Sequence, residues 1–405
     1  MQVDADRVRM KILHIITRLI VGGAQENTVI CCDAQKQAGH DVTLAYGPIY
    51  GPEGSLLGKA QRTGINLVEI PAMRRAILPL HDWRCYYQLR RLIRELKPDV
   101  VHTHSSKAGI VGRAAAWAEN VPAVIHTIHG LPFHERQSRL VYHAYVTAER
   151  WAARRCHKLV GITQAMCDAF AEHRIGEAHQ FSVIPSGVDI QAVTPAPGTR
   201  QRVREELGLT DDQPVVGIVA RLDPLKGQED LISILPLLVE KHRKLKLLLV
   251  GDGWHRPALE AMVAESGMQQ HVIFAGLVSK ERVMEYLAAM DINALPSYQE
   301  GQGRTLVEAL AAGCAIVGYN AGGIGEVCID NVTGKLGPVG DRQALAQNVL
   351  WLLDHPQQRQ QLAGAGRKHV MEHFDVSIMT SRLEALYHQS LEEHRMRQVG
   401  MQKGN

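Results

Sequence analysis

The sequence predicts an α/β protein made of two tandem doubly wound, Rossmann-like domains. Three observations predict it. Short apolar runs alternate with helical patterns along nearly the whole chain, which is the rhythm of parallel sheets joined by crossover helices. The rhythm breaks over residues 185–197, where three prolines and a glycine read as a linker, and then restarts. The length of 405 residues exceeds one ordinary domain. An N-terminal domain is expected over 10–190 and a second domain over 198–375. The two should face each other across a cleft. Residues 376–405 form a charged, amphipathic helix and tail, long enough at about 1.5 Å per residue to cross back to the first domain.

The elements follow in order. Lys11-Ile-Leu-His-Ile-Ile opens the first sheet, and Gly22-Gly23 turns into a helix carrying Val29 and Ile30. After Gly39 a strand runs over 41–45, and another over 66–70. Helical spacing covers 83–97 until Pro98-Asp99 turns into Val100-Val101-His102. Small residues make a helix of 109–118, and the strand 123–127 ends at His129-Gly130. A helix over 138–155 and strands over 158–162 and 181–184 complete the half. The second half has strands over 215–220, 246–250, 272–275, 292–295 and 315–318. Its helices are expected over 229–241, 255–265, 280–289, 305–312, 341–354, 356–373 and 377–398.

Composition narrows the class. No apolar run approaches the ~18 residues of a membrane span, and residues 1–9 are too polar for a secretory leader. Seven cysteines, an odd count without a CxxC, fit free thiols in a reducing cytoplasm. Residues 1–195 hold 23 Lys+Arg and 17 Asp+Glu, a charge of +6, and the remaining 22 against 25 give −3. That asymmetry suits two units with different partners. A net +3 without aromatic-basic interleaving gives nucleic-acid binding little support.

The chemistry gathers at strand ends. In Pro296-Ser-Tyr-Gln-Glu300-Gly-Gln-Gly-Arg-Thr-Leu-Val-Glu308, a strand gives way to a glycine loop and then a helix. The two carboxylates suit sugar hydroxyls and a ribose diol as acceptors, and the helix start can receive an anion. Alone, they also fit a solvated loop with a helix-start acid. Arg221 and Lys226 follow strand 215–220, on a turn that suits a diphosphate or simply the surface. Gly251-Asp-Gly253 is only half of a GxGxxG, and no GxxxxGK[ST] occurs, so a P-loop enzyme is disfavoured. Gly322-Gly323-Ile324 offers backbone amides to phosphate, or makes a plain turn. Gly22-Gly23-Ala24-Gln25 can bring backbone and an amide side chain close to a ligand.

His102, His104, His126 and His129 lie at two neighbouring strand ends. They admit a metal site or a hydrogen-bonded wall, and the lack of an HExxH or a completing carboxylate favours the wall. Residues 73–97 carry Arg74, Arg75, Arg84, Arg90, Arg91, Arg94 and Lys97, with Trp83, Tyr86, Leu89, Leu92, Ile93 and Leu96 at helical spacing. This reads either as a membrane-binding face or as a core stripe under solvated arginines.

With these residues in hand the chain resembles a family 4 glycosyltransferase, a retaining enzyme of the GT-B architecture, over nearly all of 10–375. The resemblance rests on the Glu300…Glu308 frame, on Ala220-Arg221-Leu…Lys226-Gly227 and on Val250-Gly251-Asp252-Gly253. Ile184-Pro185-Ser186-Gly187-Val188-Asp189 and Gly322-Gly323…Glu326…Thr333-Gly334 extend it. It implies a nucleotide-diphospho-sugar donor, with Arg221 and Lys226 on the diphosphate, Glu308 on the ribose and Glu300 on the sugar. Gly23, Gly251, Leu277, Gly303, Arg304 and Thr305 would complete the donor site. Thr127-Ile128-His129-Gly130 is similar to the family's active-site histidine segment, so His129 would touch the donor sugar or transition state. Gln25, His104 and Lys107 would meet the acceptor.

The resemblance implies no metal and no cofactor, because cations take the leaving charge. Segments around His102 and His129–His134 resemble those of bacterial envelope and exopolysaccharide transferases. A UDP-sugar donor and a lipid-linked saccharide acceptor at the inner face of the cytoplasmic membrane are therefore expected. The family frame usually has an aromatic at Gln302, an aliphatic at Arg304 and Asn at Ser186, which puts donor identity in question. The rivals are a non-hydrolysing UDP-sugar 2-epimerase, against which the Glu300…Glu308 frame argues, and a non-catalytic nucleotide-sugar-binding subunit, which loss of Glu300 or Arg221 would have favoured.

Overall fold

A computed structural model describes residues 9–403 except 52–53 and 134–136. His134, the extreme N-terminus and the last two residues lie outside the described residues. The chain forms two units. The first takes residues from both ends of the chain, up to Gly187 and from Val376 onward. The second is Val188–Asp375.

The first unit holds β1 (Lys11–Arg18), β2 (Asp41–Gly47), β3 (Asn66–Glu69), β4 (Val100–His104), β5 (Ala123–Ile128), β6 (Lys158–Gly161) and β7 (Phe181–Val183). Their order is β3-β2-β1-β4-β5-β6-β7, and the pairs are parallel. Strands β1, β2, β4, β5 and β6 are buried almost from end to end, as a sheet covered by helices on both faces requires. The order reverses between β1 and β4, and ligands of such sheets gather at carboxyl ends near a reversal.

The second unit holds β8 (Val215–Val219), β9 (Lys246–Val250), β10 (Val272–Gly276), β11 (Ile292–Leu295), β12 (Ala315–Tyr319) and β13 (Lys335–Gly337). Its order is β10-β9-β8-β11-β12-β13, again parallel, with the reversal between β8 and β11. One continuous core runs from Val188 to Phe374.

Three differences from the sequence reading have simple causes. Residues 185–197 are not a loose linker. A short helix, Ile190–Val193, forms there, and Val188, Ile190 and Val193 are buried in the second unit's core. Prolines 185 and 195 only bracket that turn. Helices Leu57–Arg62, Gln164–Glu172 and Thr199–Glu206 went unread because each has few apolar positions or only two turns. β13 is a three-residue strand, too short to alternate.

The final helix, Val376–Lys403, belongs to the first unit. Its Met379, Leu383, Leu386 and Tyr387 share a core with Met10, Ile12, Cys31 and Ile125. The helix Pro79–Leu96 divides the stripe of residues 83–96. Leu89 and Ile93 are buried and Tyr86, Leu92 and Leu96 pack on the core, whereas Trp83 is 62% exposed.

Candidate active site

In the second unit the carboxyl ends of neighbouring strands are pressed together through glycines. Gly227 follows β8 with φ +74°, and a Cβ there would lie 2.0 Å from the Pro296 carbonyl oxygen. Only a glycine lets the loops after β8 and β11 touch in this way. The amide of Tyr298 donates to the Leu225 carbonyl at 2.9 Å across the same contact. A Cβ on Gly322, after β12, would sit 2.1 Å from the Glu300 carbonyl oxygen, and the Gly323 amide donates to Gly301. Gly251, after β9, would likewise strike the Ala220 carbonyl.

These contacts bring the predicted charges together. Lys226 Nζ donates to Glu300 Oε2 at 2.6 Å. The Glu300 carboxylate also accepts from Ser297 Oγ at 3.4 Å and from the Gly301 amide at 3.1 Å. Arg221 stands outward, its side chain 68% exposed, with Nη2 3.0 Å from Asp223 Oδ2. Its carbonyl accepts from the buried Gln228 amide, which fixes the backbone beneath an open guanidinium.

Gly303, in the left-handed region, caps the helix Arg304–Ala311. Arg304 and Thr305 form its half-buried first turn, and Glu308 is buried one turn on. Arg304 Nε lies 3.5 Å from Glu308 Oε1, so a cation occupies a helix start where an anion would be favoured. Gln302, the other departure from the family frame, is buried. Leu277 is exposed just past β10.

No local pattern announces the brace behind this loop. Asp230, 1% exposed, accepts from Tyr298 Oη and Tyr319 Oη at 2.8 Å each, and from Arg342 Nε at 2.7 Å. It thereby holds Tyr298 two residues before Glu300. Asp230 reads in sequence as an ordinary acid in the first turn of a helix, and its partners lie 68 to 112 positions away.

In the first unit His129 follows β5 directly and is half-buried. Its Nε2 lies 3.0 Å from His104 Nδ1. His102 and His104 share one face of β4, and His14 on β1 pairs in register with His102. His126 does not join them. It faces the helix Ser106–Ala118, where Gly109 leaves room for its ring, and bonds Thr103 Oγ1. Burial pushes the His14 imidazole down to about 4, and depresses His102, His104 and His126 well below the usual histidine range. All four are neutral near pH 7.

His14, His102 and His104 have ring nitrogens within 4.8 Å of one another. Each of those nitrogens already has a protein partner, among them Gln35, Thr127 and Tyr387. The cluster therefore fits the hydrogen-bonded wall better than a metal site. The acceptor contact expected of His104 has no surface to act through, because its ring is 1% exposed and both nitrogens are engaged. Lys107 Nζ is held by Asp82 at 2.6 Å, which ties its helix to Pro79–Leu96. Gly23 opens the helix Gly23–Gln37, where a Cβ would meet nothing within 4 Å, and Gln25 is half-buried in the first turn.

Two parallel-sheet units, with paired cations and acids at the strand ends of the second, define the GT-B class of sugar-transferring enzymes. Residues 199–369 match the family described as glycosyl transferases group 1, and residues 21–192 match glycosyltransferase family 4. The chain belongs to this glycosyltransferase family. It is 28% identical over 314 residues to the 2-deoxystreptamine glucosyltransferase of Streptomyces kanamyceticus, covering 75% of this chain and 81% of that one. It is 28% identical over 257 residues to the UDP-Gal:alpha-D-GlcNAc-diphosphoundecaprenol alpha-1,3-galactosyltransferase of Escherichia coli, covering 63% and 66%. Among solved structures, Anabaena HepE in complex with UDP is similar with a TM-score of 0.81 at 22% identity, over 94% of this chain and 100% of that one. That likeness supports the fold.

Proposed function

We propose that this glycosyltransferase is a retaining enzyme that moves a hexose from a UDP-sugar to a saccharide or lipid-linked saccharide in envelope or exopolysaccharide synthesis. The carrying observation is the Lys226–Glu300 pair, which locks the loops after β8 and β11 into one cation-and-acid platform. Arg221 and Lys226 take the diphosphate, Arg221 by its planar fork and Lys226 as a point charge. Glu300, freed in part from Lys226 by the incoming phosphates, accepts hydroxyls of the donor sugar. Glu308 accepts the ribose diol. The amides at Gly303–Thr305 add fixed dipoles where charge develops on the leaving nucleoside diphosphate, whereas those of Gly323 and Ile324 are taken by the Gly301 and Ala321 carbonyls.

In this reading His129 contacts the sugar as the anomeric centre gains positive character, and Gly23 and Gln25 serve the phosphates and acceptor. Retention follows from attack on the face the leaving group vacates, with the departing phosphate taking the acceptor's proton. The cations do the work of a metal, so no divalent ion is required. The Escherichia coli relative, whose name specifies UDP-galactose and a diphosphoundecaprenol-linked acceptor, supports the donor class and the lipid-linked acceptor.

A thermal-shift panel of UDP-, GDP- and ADP-glucose should give its largest stabilisation with UDP. Turnover should survive a chelator, and loss of turnover in EDTA would refute metal independence. Glu308→Ala should weaken UDP binding by roughly tenfold or more, about 1.4 kcal/mol. Unchanged affinity in that variant would remove Glu308 from the donor site.

A further inference from the structure

The buried polar cluster behind His129 has a direction. Gln35 Oε1 lies 2.7 Å from His14 Nε2, while its Nε2 lies 3.2 Å from both Tyr387 Oη and Cys31 Sγ. An amide oxygen only accepts, so His14 carries its proton on Nε2. A neutral imidazole has one N–H, so His14 Nδ1 accepts, and the proton 2.9 Å away belongs to His104 Nε2. His104 Nδ1 then accepts in turn, and the partner at 3.0 Å must be a protonated His129 Nε2. The burial that keeps His14 and His104 neutral supports each step.

The second branch agrees with the first. Tyr387 Oη accepts from Gln35 and donates to His102 Nδ1 at 2.6 Å. His102 Nε2 is left to donate to Thr127 Oγ1 at 2.7 Å. Gln35 roots both branches, and it is itself 4% exposed.

We propose that Gln35, His14 and His104 form a hydrogen-bonded file that holds a proton on His129 Nε2 and orients its ring, and that His104 is thereby a positioning residue for sugar transfer. The positioning half rests on the reading that His129 takes part in the transfer. A transition metal on His14, His102 and His104 is the competing use of the same atoms. It would have to break the His14–His104 bond, and the cluster supplies no carboxylate or thiolate to offset its charge.

The test has a spectroscopic and a kinetic arm. Long-range ¹H–¹⁵N correlation on the full chain labelled at histidine should show His14, His102, His104 and His129 all as Nε2–H tautomers. A His129 protonated on Nδ1 overturns the file. Elemental analysis that finds one equivalent of zinc, lost in His104→Phe, overturns it in favour of a metal site.

With whichever of UDP-, GDP- or ADP-glucose stabilises the protein most, His104→Phe should lower kcat about 10- to 100-fold with donor KM nearly unchanged, as when the partner orienting a functional histidine is lost. His104→Asn, which keeps an acceptor near Nδ1, should recover about tenfold of that loss. On a His129→Ala background His104→Phe should add nothing, since it acts through His129. Losses that simply add would overturn the positioning role. Full turnover in His129→Ala would refute the part given to His129, and the positioning half with it, while the tautomer half still stands or falls on the spectrum.

Discussion

At the scale of single residues, the histidines of the first unit make the protein acid-sensitive in a defined window. Burial lowers His14 from the ordinary 6.5 to about 4 and depresses His102, His104 and His126 as well. Above about pH 7 both folded and unfolded chains hold these rings neutral. As the pH falls through 6.5 the unfolded chain takes up protons first, so stability is lost progressively, and the His14 share levels off below about pH 4. At pH 5 the cost from His14 alone is about 2 kcal/mol. Urea unfolding followed between pH 7.5 and 5 should show a falling midpoint, and His14→Gln should flatten that slope. A midpoint independent of pH would mean that these rings are open to water. Sequence alone showed His102 and His104 on one face, because a strand alternates with period two. It did not reveal His14, whose partnership arises only from the β1–β4 register.

At the scale of elements, the helix Pro79–Leu96 has two kinds of surface that the sequence ran together. Its Leu89 and Ile93 bury against the sheet, and Arg90 and Arg94 spend their charge on Glu119. Its most exposed apolar residues lie at or just before its start. Ile77 is 72% exposed, Leu80 76% and Trp83 62%, with Arg75 and Arg84 exposed among them. Apolar residues flanked by arginines suit the interface of an anionic bilayer, at ~1 kcal/mol for each basic residue near the surface. Vesicles of phosphatidylglycerol should pull the protein down in a centrifuge, less so in high salt, and neutral vesicles should not. Replacing Ile77 and Trp83 together by Ala should cut that partitioning about tenfold or more, since each buried apolar side chain contributes ~1.5–3 kcal/mol. Equal sedimentation of this variant would rule the patch out. The periodic helices were legible in sequence because their apolar spacing is regular. The short ones were not, and neither was the Asp230 brace, because tertiary contacts and not local pattern decide them.

At the scale of the whole molecule, the chain leaves the first unit once and returns to it. The Val188 amide donates to the Phe374 carbonyl at 2.8 Å, and Val188 bridges Asp375, so the second unit begins and ends at one point. Its core draws only on residues 188–374. The first unit has no such independence. Met10, Ile12, Cys31 and Ile125 are covered by Met379, Leu383, Leu386 and Tyr387 of the closing helix, and Tyr387 Oη caps both His102 and Gln35. The nearly continuous strand–helix rhythm made both sheets predictable, whereas the contacts of Tyr387 with His102 and Gln35 arise only from tertiary packing. Residues 188–375 expressed alone should therefore melt cooperatively and bind the nucleotide that the full chain binds, with stability rising by about 2.7 kcal/mol at a hundredfold excess over Kd. Residues 1–187 alone should expose that apolar floor and leave buried polar atoms unpaired, at ~1–3 kcal/mol each. They should stay unfolded or aggregate until the helix Val376–Lys403 is supplied as a peptide or fused in place. A cooperative melt of 1–187 without the helix, at the temperature of the full chain's first transition, would show that the returning helix is an ornament of that unit and not part of its core.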